Sequence, residues 1–139
     1  MLAVKTYPQE YIDGCRAGLD AQLAAYDAVA AAATDDKVAD ALGAFAPLFF
    51  ANLVHVLDGY FMHRTRAIEG KDPNSLNEVR MMCTSLLENG GVLAADRQIR
   101  YTPEGSVLGL AVGDAVVVDE PGFRRLADAY FAEIEARFT

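Results

Sequence analysis

The stretch PLFFANLVHVLDGYF, residues 47–61, decides the fold. At about 100° per residue on a helical wheel, Phe49, Leu53, Val56 and Tyr60 fall in one stripe, and Phe50, Val54, Leu57 and Phe61 in a second beside it. A stripe of that width predicts a central helix covered on more than one side. The uncharged run around it, Ala41 to Leu57, is shorter than a membrane span. It holds Pro47, Asn52 and His55 and stops at Asp58, so it reads as a core helix. Pro47 lacks an amide donor and predicts a kink or restart there.

Upstream, Ile12, Cys15, Leu19, Leu23, Tyr26 and Val29 keep helical spacing, and Ala28–Ala33 continues it. A helix over 8–33 follows, with Pro8 in its first turn and Thr6 and Gln9 as a capping box. The polar residues 34–37, TDDK, form a turn, and the central helix runs from Val38 to Gly70. A third helix begins at Asn74 or Ser75, where Ser75 and Glu78 suggest a second capping box. It buries Leu76, Val79, Met82, Cys83 and Leu86 and ends at Asn89-Gly90-Gly91. Next come short segments rich in Val, Ile, Leu and Tyr: 98–101, 107–110 and 115–118. Turn residues separate them, predicting a small β-hairpin or meander. The last helix starts at Asp119-Glu120-Pro121 and buries Phe123, Leu126, Tyr130, Ile134 and Phe138. The expected fold is mainly α: one domain over 1–139, like a four-helix bundle, with a small β element between the third and fourth helices.

Composition narrows the function. A net charge of −8 over 139 residues repels phosphate backbones, so neither nucleic acid nor an anionic membrane is expected as a partner. No signal pattern opens the chain. Cys15 and Cys83 form no CxxC pair and fall on apolar helical positions, as free thiols of a cytoplasmic protein would. No metal or other cofactor is expected. Glu-x-x-His is absent, and His55 and His63 stand about 12 Å apart along a helix, too far to share one ion. A phosphate loop and a nucleophile elbow are missing too.

What remains is residues 63–80, HRTRAIEGKDPNSLNEVR, where four basic residues face three acidic ones. That net of +1 leaves −9 for the rest of the chain. The wheel puts His63 close enough to the apolar stripe to be partly buried. Beside Glu69 or Asp58 it would then suit a general base, as would His55 with Asp58. A histidine held by structural hydrogen bonds is the plainer reading of both, and no catalytic residue is assigned. The block His63, Arg64, Arg66, Lys71, Asn74, Ser75, Asn77, Glu78 and Arg80 has three readings. It can be an internal ion-pair network, an interface rich in Arg, or a cradle for a phosphate or carboxylate at the start of the third helix.

The sequences HRTR at 63–66, EGKD at 69–72 and NEVR at 77–80, with SVLGL at 106–110, Gly113-Asp114 and FAEIE at 131–135, resemble a family of small, uncharacterised bacterial cytosolic proteins. The resemblance covers roughly residues 45–138. It implies a stand-alone protein and no activity. The chain therefore reads as a non-enzymatic protein that works through association, expected to be a homodimer because three short partners leave the central helix incompletely covered. The alternative is a small-anion binder at 63–80 with weak histidine-based catalysis.

Overall fold

The computed structural model describes residues 3–139. Five helices are present among them: α1 (Gln9–Ala32), α2 (Asp36–Gly59), α3 (Arg66–Glu69), α4 (Ser75–Glu88) and α5 (Glu120–Phe138). The chain is mainly α, as the apolar periodicity predicts. α2 packs on α4, α4 on α5, and α1 on α5 and α2.

α1 buries Ile12, Cys15, Leu19 and Leu23, four of the six positions expected. Pro8 precedes it as the cap residue, and no side chain caps it, so the Thr6–Gln9 box does not form. Asp35 caps α2 by accepting from the amides of Lys37 and Val38. α2 runs unbroken through Pro47, where a kink was expected. Pro47 and Gly43 are both exposed, so the Gly43 carbonyl that loses its intrahelical donor faces water and the loss is tolerated.

α2 stops at Gly59 instead of continuing to Gly70. The chain turns through residues 60–65, where an upstream segment pairs with it. Val4 N donates to His63 O at 2.7 Å and Thr65 N to Val4 O at 2.8 Å. α3 follows, ending at Gly70 with φ 76°. A side chain there would be strained, and its Cβ would also sit 2.8 Å from Asp72 Oδ1.

The central helix is α4 rather than α2. Nine of its 14 residues are buried, against four of 24 in α2. Asn74 caps it, accepting from Asn77 N at 3.0 Å. The Ser75–Glu78 box is not made, because Glu78 turns to the connection between α4 and α5.

That connection, residues 89–119, holds no strand among the described residues, so the expected hairpin or meander is replaced by irregular chain. One antiparallel bridge joins Val92 to Ala115, and Pro103–Gly105 makes a single 3₁₀ turn. The apolar content that suggested strands is used instead for packing: Leu93, Ile99, Val116 and Val118 are buried in the common core. The amides that a ladder would pair go elsewhere. Ala94 N donates to Ser85 Oγ, Arg100 N to Lys71 O, and Val107 N and Leu108 N to Glu78. Asp119 then caps α5 by accepting from Gly122 N at 2.8 Å, and α5 buries the expected face from Phe123 to Phe138.

Candidate functional site

Two regions stand out: the polar joint around 58–80 and an arm made of the far ends of α1 and α2.

At the joint, ending α2 at Gly59 and turning the chain directs Arg64 inward, where it is 3% exposed. Its Nη1 meets Asp58 Oδ1 at 2.9 Å and donates to Tyr130 OH at 2.9 Å and Phe61 O at 3.1 Å. Its Nη2 donates to Glu69 Oε1 at 3.2 Å and Leu76 O at 3.4 Å. Tyr130 in turn donates to Asp58 Oδ1 at 3.2 Å. Glu69 is fully buried and is also gripped by Arg80, through Nη2 to Oε2 at 2.7 Å and Nε to Oε1 at 3.2 Å. Arg66 stands 3.8 Å from the same carboxylate. Burial alone would raise the Glu69 pKa, but Arg80 and Arg64 hold it below the usual value. Burial likewise favours deprotonation of Arg64, yet Tyr130, Asp58 and Glu69 keep it charged.

Around this core the polar residues tie the joint's loops together. Asn74 Nδ2 donates to the carbonyls of Glu69 and Asp72, and Asn77 Nδ2 to those of Gly70 and Asp72. Arg137 grips the Asp72 carboxylate with two bonds, at 3.1 and 2.8 Å, and donates to Glu69 O at 2.7 Å. That grip lowers the Asp72 pKa to about 2.

Of the nine residues singled out in sequence, Arg64, Arg66 and Arg80 converge on Glu69, and Asn74 and Asn77 bind the adjoining turn. Ser75 is buried, its Oγ without a partner among the described residues. Glu78, on α4, lies apart from this network and accepts from two amides of the connection. His63 and Lys71 are exposed. The expected partial burial of His63 is corrected because the helix that set its phase has already ended. Asp58 is engaged through Oδ1 by Arg64 and Tyr130, and His55 and Asp58 make no ion pair among the described residues. The sequence reading missed Tyr130 and Arg137 as members of the network. Tyr130 carried a signal: a Tyr on an otherwise Phe and Leu face needs a partner for its hydroxyl. Among the described residues, no three His, Cys, Asp or Glu side chains cluster closely enough to hold a metal ion.

The arm has the opposite character. Beyond Leu23 of α1 and before Phe50 of α2, no residue is buried. Tyr26 stacks on Phe49 and Phe49 on Phe45, with ring centroids 5.3 and 5.5 Å apart. These rings, with Gln22, Ala25, Val29 and Leu42, line an open apolar cleft of about 290 Å³. Phe45 is 49% exposed and Leu48, on the same helix, 72%. α2 is long and apolar enough, by length and composition, to cross a membrane; its most apolar stretch has mean hydropathy 1.5 and is only 22% buried.

Comparison of the chain with protein-family models, with curated proteins and with solved structures finds no match.

Proposed function

We propose that this protein acts by association, as a homodimer joined along the α1–α2 arm. The carrying observation is the outward-facing apolar surface of α2, where Leu48 is exposed and Phe45 is exposed while lining an apolar cleft. In a two-fold symmetric contact each exposed side chain counts twice, and a knob beside a cleft on one surface can fill its own copy's cleft. Val29, Val38, Phe45 and Leu48 are each about half exposed or more. Burying such groups in both copies yields on the order of 6–12 kcal/mol. That is of the same order as the ~4–15 kcal/mol lost in rigid-body freedom, so the dimer is reversible rather than permanent. Residues 24–48 carry four Asp and one Lys, a net of −3, which disfavours anionic lipid as the occupant of this face.

The small-anion reading has less support. Arg64 and Arg80 are already bonded to Glu69, and the first-turn amide of Asn77 is taken by Asn74.

Light scattering on gel-filtered protein at micromolar concentration tests the dimer. The expected mass is twice 15.0 kDa for the wild type and 15.0 kDa for Leu48→Asp. A monomeric wild type overturns the proposal. If that monomer also pelleted with phosphatidylcholine vesicles, and Leu48→Asp did not, the arm would be a lipid-binding element.

A further inference from the structure

Where the connection crosses the start of α5 it leaves a cavity of about 250 Å³. Leu108, Leu110, Val117 and Val118 give it aliphatic walls, and Asp119, Gly122 and Arg125 complete it. The walls are fastened. Glu78 accepts from Val107 N at 2.7 Å and Leu108 N at 3.0 Å, Ser106 Oγ accepts from Gly109 N at 2.8 Å, and the Tyr101 phenol donates to Leu110 O. Val118 belongs to the common core. The cavity is therefore preformed, and a ligand entering it has little of the protein to order.

Two opposite charges border it. The Arg125 guanidinium makes no ion pair or hydrogen bond among the described residues, whereas its neighbour Arg124 bonds Asp27 and Glu120. Asp119 uses Oδ1 to accept from Gly122 N at 2.8 Å, and its Oδ2 has no donor among the described residues. Both charges meet the aliphatic wall over the bare backbone of Gly122. A Cβ built there would stand 2.8 Å from Asp119 Oδ1, 3.4 Å from Leu108 Cδ2 and 3.9 Å from Arg125 Nη2.

We infer that this cavity binds an α-amino acid with a branched aliphatic side chain. The carboxylate of the ligand pairs with Arg125, whose planar guanidinium offers two parallel donors. Its ammonium meets Asp119 Oδ2, and its side chain lies against the two leucines and two valines. An amino acid carries both charges on one carbon, which suits an acid and a base facing the same space. A simple anion would meet Arg125 but crowd Asp119, and a simple amine would do the reverse. Size sets the upper limit. At ~30 Å³ for each water displaced the cavity holds about eight waters, which matches leucine, with roughly nine non-hydrogen atoms, and excludes tryptophan.

Amide chemical shifts followed by NMR at neutral pH, during titration with L-leucine up to about 10 mM, test this. Saturable shifts are expected at Leu108, Gly109 and Gly122. Three further probes each lack one part of the ligand: isocaproate the ammonium, isopentylamine the carboxylate, and glycine the side chain. Each is expected to bind at least about fivefold more weakly than L-leucine. Two variants remove the charges without touching the core. Arg125→Gln takes away the guanidinium, and Asp119→Asn takes away the negative charge while keeping an oxygen for the Gly122 amide. Both should weaken L-leucine binding by a similar factor. Absence of saturable shifts at these amides, equal binding of isocaproate or isopentylamine, or undiminished binding by either variant overturns the inference. So do shifts confined to Tyr26, Val29 and Phe45, which would put the leucine in the apolar cleft of the arm. The readout at α5 does not depend on the oligomeric state of the arm.

Discussion

The joint and the arm invert the usual arrangement of a globular chain in opposite directions. At the joint, charge is turned inward: Arg64 and Glu69 lie in the interior and find their partners within the same chain. At the arm, apolar surface is turned outward, and Phe45 and Leu48 find no cover among the described residues. The contrast teaches that a conspicuous sequence is not the same as an available surface. The polar block at 63–80 draws the eye, yet most of its hydrogen-bonding capacity is used up internally. The bland Ala-rich hairpin is where the molecule has contacts left to make.

Substitutions should separate the two regions sharply. The largest effect is expected from Arg64→Ala, which leaves Glu69 and Asp58 short of their shared partner. Breaking a buried pair from one side costs about 3–5 kcal/mol, to be read from urea unfolding midpoints. A loss under about 1 kcal/mol would mean the joint is not what holds this end together. Acid acts on the same network. The Glu69 pKa lies lower in the folded than in the unfolded chain, so its contribution is complete above the ordinary value of 4.5 and is lost as the pH falls below it. Asp72 behaves likewise, down to about 2. Stability measured between pH 5 and pH 2 should fall accordingly, and the fall should be shallower in Arg80→Ala, where Glu69 has lost one of the arginines that lower it.

At the arm the expected changes in stability are small while those in association are large. Leu48→Asp should leave the unfolding free energy of the monomer within about 0.5 kcal/mol, because the side chain touches solvent rather than core. If instead it unfolded the protein, the arm would be packed in a way the exposed Leu48 does not reflect. The smallest effect belongs to His63→Ala. His63 is exposed, so its loss should shift stability by no more than about 0.5 kcal/mol and leave the mass in solution equal to that of the wild type.

Those expectations rest on features that were unequally legible in the sequence. The faces of α1 and α5 were readable because a strict apolar rhythm has one solution: Ile12 to Leu23, and Phe123 to Phe138, are buried as spaced. The cap of α4 was readable only as far as Asn74 or Ser75, because both side chains suit a cap, and Asn74 takes it. The end of α2 was not. Residues 60–69 retain helical composition, and only the long-range demand of Arg64 for Asp58, Tyr130 and Glu69 turns the chain at Gly59. The connection misled for a related reason. Val107–Leu110 has strand composition, but Glu78, about 30 residues upstream, supplies the acceptors a neighbouring strand would have provided. The internal-network reading of 63–80 stood among three alternatives because charge spacing shows which residues can meet, not which partner from α5 arrives to join them.

The upstream segment that pairs with residues 63–65 also bears on how the chain folds in time. Tyr7 N donates to Phe138 O at 2.7 Å, so the same strap that pairs with the joint also closes onto the end of α5. The Tyr7–Phe138 contact spans almost the whole sequence, whereas the α1–α2 hairpin needs only neighbours. Loop-closure entropy rises with the length of chain enclosed, and distant contacts are rewarded only after that entropy has been lost. The arm is therefore expected among the first parts to form, and the strap across Tyr7 and Phe138 among the last. During that interval two unfinished copies would already display the surface proposed to join them, which makes pairing of incomplete chains the natural hazard of refolding at high concentration.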